Sequence, residues 1–199
     1  MYRTVLEQSA VRGVANLFSK DLAELTGNSP TQVRRDLMTV GYYGNPQKGY
    51  AVAELAEKIR GLLEPPDGIS MALAGIGNLG RAIIGYFTHL KPKFNLVAAF
   101  DNDEAKVGRV IAGCRCHHSK DIVEVLSKNP IQLGIITVPE TQAQKVADQF
   151  AAAGVKGIVN FAPVPIRVPA DVYLENMHMT LTFEKVAYFA RTKESGGIA

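Results

Sequence analysis

The chain has 199 residues, 47% of them hydrophobic and 21% charged, which supplies enough apolar material for a core and excludes disorder as its main state. No run of about eighteen apolar residues could span a bilayer, the opening MYRTVLEQSAVRG lacks a secretory signal, and two cysteines make no disulfide framework, so a cytoplasmic protein is expected. The formal charge of +3 is too mild to announce a nucleic-acid partner, although six Lys/Arg against four Asp/Glu place +2 of it in residues 1–50.

Residues 19–40 read SKDLAELTGNSPTQVRRDLMTV. Ser19 is expected to cap a short helix carrying Leu22 and Leu25, and Gly27 to supply the turn. Ser29-Pro30-Thr31-Gln32 then reads as a complete helix start: Ser29 caps, Pro30 takes the first helical position, and Gln32 closes a capping box. Val33, Leu37 and Val40 follow at helical spacing as the buried stripe, turning Thr31, Arg35 and Met38 to the other side with Gln32 and Arg34 flanking. Such a polar, basic face suits a recognition helix in the major groove, because Arg pairs with guanine, Gln with adenine, and either holds a phosphate. Residues 41–50 (GYYGNPQKGY) look like a β-turn wing with Lys48 near its tip. A small helical packing or dimerisation domain with a merely solvated face fits the same pattern.

Glu64-Pro65-Pro66-Asp67-Gly68 is the clearest seam, dividing a helical domain (1–64) from an α/β domain (65–199). Ser70 to Ala74 reads as a buried strand, followed by Gly75-Ile76-Gly77-Asn78-Leu79-Gly80, a helix from about Leu79 to His89, and a strand from Phe94 to Phe100 closing on Asp101. Next come a strand bearing Cys114 and Cys116, a helix capped by Ser119 ahead of Ile122, Val123 and Leu126, a strand from Leu133 to Val138, a helix from Glu140 to Ala153 ended by Gly154, and a strand from Gly157 to Phe161. Repeated βαβ units predict a doubly wound parallel sheet.

A glycine run between strand and helix, with an acid ending the next strand 21 residues after Gly80, is the dinucleotide pattern. Gly75 permits the tight turn, Gly77 leaves room for a pyrophosphate, and Gly80 lets helix and strand pack, so that freed amides and the helix's positive end face the phosphates. Asp101 would accept hydrogen bonds from the adenosine ribose and repel a 2′-phosphate, favouring NAD(H) over NADP(H). Lys106 and Arg109 soften that preference, and coenzyme A or FAD also suits the fold. Cys114-Arg115-Cys116-His117-His118 holds zinc-ligand residue types, but a C-x-C strand turns both thiols to one face and no second cluster accompanies it, so no metal is expected. No catalytic motif of recognisable spacing occurs, and an NAD-dependent oxidoreductase would have to use Tyr86 or His178 as its acid or base. The stretch from Val172 to Phe189 carries more apolar side chains than a monomer readily covers.

GIGNLGR, FDNDEAKVGRVI, TVPETQAQKVA and GVKGIVNFAPVPIRVPADVYLENM, with SKDLAELTGNSPTQVRRDL before them, resemble the Rex redox-sensing transcriptional repressors over nearly the whole chain. The resemblance implies a winged-helix domain followed by a Rossmann domain, in a homodimer that exchanges a C-terminal helix matching Thr180 to Arg191. It implies a protein without catalytic residues that occupies an inverted-repeat DNA operator when NADH is scarce and leaves it as NADH rises. By position, NAD(H) contacts are implied at Gly75, Ile76, Gly77, Asn78, Leu79, Gly80, Arg81, Asp101, Asn102 and Lys106. Thr137, Val138, Pro139, Asn160, Phe161, Ala162 and Pro163 would lie by the nicotinamide half, with Tyr86 directed to the same region of a second subunit. DNA contacts are implied at Ser29, Thr31, Gln32, Arg34, Arg35 and Lys48. The chain departs from the family where an N-terminal arginine and a later aspartate are implied: Thr4, beside Arg3, and His178 stand there. A charged latch between the two domains is therefore missing, which implies altered NADH/NAD+ discrimination. In the wing, Asn45-Pro46 replaces an implied basic pair and only Lys48 remains.

Overall fold

Residues 1–63, 68–90, 93–111 and 113–194 are described by the computed structural model, with side chains to 191. The seam from Glu64 to Asp67 lies outside the described residues. The chain divides into two units, Met1–Pro66 and Asp67–Ala199.

In the first unit α1 (Tyr2–Val11) leads through β1 (Asn16–Leu17) to α2 (Ser19–Thr26) and α3 (Pro30–Thr39), then β2 (Tyr50–Ala51) and α4 (Val52–Leu63). Strands β1 and β2 pair antiparallel. Leu6, Leu22, Val33, Leu37 and Leu55 are buried together as the core. The entry to α3 follows its sequence in part: Ser29 Oγ accepts the Gln32 N–H (3.1 Å), and Pro30 lacks a donor where none is needed. The capping box is only half made, because Gln32 turns its amide to Asp36 (2.6 Å). Ser19 is the first residue of α2 rather than its cap. The Asp21 carboxylate accepts the Phe18 N–H (2.7 Å) and Ser19 Oγ accepts instead from Arg34 (3.0 Å). Leu22 is buried, whereas Leu25 faces solvent. Between α3 and β2, Asn45 and Gly49 exchange two backbone bonds of 2.7 Å, and the Asn45 side chain accepts the Gln47 and Lys48 N–H groups. This is the tip of the wing.

The second unit is a seven-stranded sheet in the order β5-β6-β4-β3-β7-β8-β9. Its strands are β3 (Ile69–Ala74), β4 (Phe94–Asp101), β5 (Val110–Ile111), β6 (Cys114–His118), β7 (Leu133–Ile136), β8 (Gly157–Asn160) and β9 (Tyr173–Asn176). All pairings are parallel except that of the short edge strand β5. Connections step from β3 one way to β4 and β6, then the other way to β7, β8 and β9, so the order reverses beside β3, where a doubly wound sheet opens its crevice. Helix α5 (Asn78–Thr88) packs through Ile84 with Met71, Leu73 and Ile135, while α6 (Ile122–Lys128) and α7 (Glu140–Ala152) share the core of Ala72, Ala74, Phe100 and Ile136. Neighbouring residues of β3 thus serve opposite cores, as the strand period demands. Helix α8 (Met179–Glu194) closes the described chain.

Several boundaries differ from the sequence reading. β7 ends at Ile136 and β8 at Asn160, leaving Thr137, Val138 and Phe161 in the loops beyond. Ser119 does not cap α6. It begins a 3₁₀ turn whose cap is His118, with Nδ1 accepting the Lys120 N–H (3.1 Å). Strands β5 and β9 were not expected. Cys114 and Cys116 are both buried in the α5-side core, and burial pushes the Cys116 thiol pKa up. Among the described residues no helix is long and apolar enough to cross a membrane.

Close helix–sheet packing is testable at Gly134 of β7, where an added Cβ would sit 2.6 Å from Phe150 Cδ2. Gly134→Ala is expected to cost about 1–3 kcal/mol of unfolding free energy in urea. Adding Phe150→Leu should return part of that loss, giving a non-additive double-mutant cycle.

Candidate functional site

Strand β3 delivers the chain into the turn Gly75-Ile76-Gly77, and α5 starts at Asn78 with Gly77 as its N-cap. Each glycine meets a different surrounding. Gly75 has φ +100°, and a Cβ there would lie 2.6 Å from the Thr137 carbonyl oxygen. A Cβ on Gly80 would overlap the Gly75 carbonyl oxygen, while one on Gly77 would meet nothing within 4 Å. Two glycines thus serve close packing and the middle one leaves open space. Thr137 Oγ1 donates toward the carbonyls of Gly75 (2.7 Å) and Ala74 (3.1 Å), and the Gly75 N–H donates to the Phe100 carbonyl (2.8 Å). The turn is bound to the ends of both neighbouring strands.

Asp101, at the end of β4, gathers three donors. Its Oδ2 accepts the Ile76 N–H (2.7 Å) and Lys106 Nζ (2.9 Å), and its Oδ1 accepts the Asp103 N–H (2.9 Å). Burial pushes its pKa up, but the Asp103 amide, the Lys106 ammonium and the Ile76 amide outweigh burial and leave it below the ordinary value. The bond to Asp101 in turn raises Lys106. Both groups are therefore charged at neutral pH. One expectation changes here: the Ile76 amide faces Asp101 and is not free for a phosphate.

A cavity of about 690 Å³ opens at these strand ends, lined by Gly75, Gly77, Asp101, Asn102, Asp103, Lys106, Ser119, Thr137, Val138, Pro139, Gln142, Phe161 and Pro163. The sequence reading named all of these as cofactor contacts except Asp103, Ser119 and Gln142. Each of the three follows the carboxyl end of a parallel strand, which was the available signal. The other named residues sit elsewhere. Ile76 is buried, and Asn78, Leu79, Gly80, Arg81 and Arg109 do not line the cavity. Asn160 is 1% exposed; it donates to the Val164 carbonyl (2.8 Å) and Asn176 Oδ1 (2.9 Å) and accepts the Ala162 N–H (3.0 Å). It clamps the 161–164 turn to β9, and Ala162 is buried beneath. Tyr86 lines a separate apolar groove of about 360 Å³ with Phe87, Leu133, Ile135, Val159 and Phe161. Thr4 and His178 are exposed, and Arg3 pairs with Glu7 of its own helix (2.7 Å).

On α3, Thr31, Gln32, Arg34 and Arg35 are exposed beside the capping Ser29. Arg34 donates to Ser19 Oγ (3.0 Å) and Thr31 Oγ1 (3.3 Å). Gln32 donates to Asp36 Oδ1, while the Tyr2 hydroxyl donates to Asp36 Oδ2 (2.7 Å). Burial and then the Asp36 bond push Tyr2 up to about 12, so it remains a donor. The side chains of Arg35 and Lys48 have no hydrogen-bond or ion-pair partner among the described residues, their bonds being through the backbone to Thr39 and Asn45.

Residues 68–164 match a family model described as a CoA binding domain. Curated relatives named redox-sensing transcriptional repressor Rex match nearly the full length. That of Brevibacillus brevis is 38% identical, covering 94% of this chain and 89% of its own. That of Thermosipho africanus is 35% identical, covering 94% and 90%. A crystal structure of RSP in complex with β-NAD+ and operator DNA is similar at TM-score 0.87 and 32% identity, covering 100% of this chain and 94% of that one. RSP in complex with β-NADH gives 0.83 and 32%, covering 97% and 90%.

The unequal glycines separate folding from binding. Gly80→Ala should lower unfolding free energy by about 1–3 kcal/mol or more. Gly77→Ala should stay within about 1 kcal/mol of the parent, yet weaken calorimetric NADH binding at least about tenfold.

Proposed function

This chain belongs to the Rex family of redox-sensing transcriptional repressors, and we propose that it is an NAD(H)-responsive repressor that holds an operator and is released as NADH binds. The observation that carries this reading is that a relative similar over the entire chain bears NAD+ and operator DNA together, while this chain pairs a glycine-turn cavity with a basic α3 face. Asp101, Asn102 and Lys106 would take the adenosine ribose. Gly77 and the first amides of α5 would take the pyrophosphate, where a helix start offers unbonded N–H groups. Thr137, Val138, Pro139, Phe161 and Pro163 would receive the nicotinamide half. The cofactor supplies two redox forms of that ring, and the protein's task is to bind them unequally without making or breaking a bond. Coenzyme A carries a phosphate on its adenosine ribose, which the acids Asp101 and Asp103 disfavour, so NAD(H) fits better than the name of the matched domain model suggests.

Thr31, Gln32, Arg34, Arg35 and Lys48 would meet DNA, with Ser29 holding the helix start. A DNA target places the work in the cytoplasm. Leu181, Phe183 and Val186 of α8 are exposed, and an exchanged helix covered by a second copy would account for them in a homodimer suited to a two-fold operator.

Control by a ligand requires different affinities for the DNA-competent and DNA-incompetent states. The test uses an operator selected from a randomised DNA library by the cofactor-free protein. Saturating NADH should weaken operator binding at least about tenfold more than saturating NAD+, and equal occupancy with both would overturn the reading. Because Thr4 and His178 replace an implied charge pair, that difference should be smaller than an intact pair would give. The variant Thr4→Arg/His178→Asp should widen it in the same gel shift.

A further inference from the structure

The carboxyl end of β4 carries a charge arrangement that the glycine pattern does not require. Lys106 Nζ lies 2.9 Å from Asp101 Oδ2 and 3.6 Å from Asp103 Oδ2. All three side chains line the cavity. A lysine beside an adenosine ribose is a ready partner for a 2′-phosphate, as a compact charge with three donors. Here that charge is committed to two carboxylates, and the cluster as a whole is negative by one charge.

We propose that Asp103 is a specificity-determining residue: by holding Lys106 together with Asp101, it converts a potential phosphate clamp into one for a free ribose 2′-hydroxyl. A 2′-phosphate would have to draw Lys106 away from both acids and then sit against them. A hydroxyl asks for neither, since it can donate to Asp101 while accepting from the Lys106 proton left over. Without Asp103, the lysine balances Asp101 alone and the cluster becomes neutral. The inference rests on the NAD(H) reading above and names which side chains exclude NADP(H).

The Asp103 loop allows a clean test. Asp103 Oδ1 accepts the Ala105 N–H (3.0 Å), so Asp103→Asn removes the charge while keeping an acceptor for that turn. Asp103→Ser serves as a second variant with the same turn chemistry. Full-length proteins are titrated calorimetrically with NADH and with NADPH, at low and high salt, with circular dichroism to verify folding. In Asp103→Asn the ratio Kd(NADPH)/Kd(NADH) should fall about tenfold at low salt and less at high salt, the scale of one partly exposed charge a few ångströms away. Lys106→Met should move the ratio upward. A ratio unmoved in both Asp103 variants overturns the inference, as does a fall in Lys106→Met equal to that in Asp103→Asn. If the parent protein binds neither nucleotide, the NAD(H) reading itself fails. If it binds NADH and the ratio does not respond, only the role of Asp103 fails.

Discussion

The turn after β3 lies so close to the Thr137 backbone at Gly75, and to helix α5 at Gly80, that no side chain fits at either place, and the rest of the cavity is arranged around those contacts. The close approach forces the chain through a left-handed residue at Gly75 and exposes the backbone of the turn to its neighbours. Phe100 receives the Gly75 amide, Thr137 Oγ1 reaches the Gly75 carbonyl, and Asp101 receives the Ile76 amide. Three parallel strands are thereby tied at their carboxyl ends by backbone groups that would otherwise be buried without partners. Asp101 is part of this framework before any ligand arrives. Its carboxylate is held by three donors, so the side chain expected to meet a ribose does not have to be ordered on binding.

The parts of this site fixed by local covalent geometry could be read from the sequence. The glycine spacing, the capping Ser29 with Pro30, and the acid at the end of a strand each act within a few residues of themselves. What could not be read depended on direction or competition. Asn160 stands at a strand end like Thr137, yet it points into the fold and bonds to Val164 and Asn176; a residue's place at a strand end does not say which way it faces. Gln32 and Ser119 lost their expected roles to neighbours, since Asp36 offers Gln32 a charged acceptor and His118 caps the turn that Ser119 enters. Strand β9 alternates exposed and half-buried residues at the sheet edge, which gave no apolar run to find.

If it acts on DNA as proposed, a chain of such modest charge has to gain selectivity from placement rather than from bulk attraction, and several polar side chains of α3 are held in place. A side chain that reads a base edge must sit at hydrogen-bonding distance and angle from its target, whereas one that neutralises a phosphate needs only to be near. Gln32 is positioned by Asp36, which Tyr2 of α1 holds from the other oxygen, and Arg34 is positioned by Ser19 of α2 and by Thr31. Their rotamer freedom is already reduced in the free protein, which lowers the cost of ordering them at an interface. Because Asp36 can only accept, it fixes which end of the Gln32 amide turns inward and leaves the carbonyl oxygen outward. With both oxygens engaged, Asp36 serves as the anchor of that amide. The side chains of Arg35 and Lys48 are not held in this way among the described residues, so on the proposed reading they would suit phosphates while Gln32 and Arg34 would suit base edges.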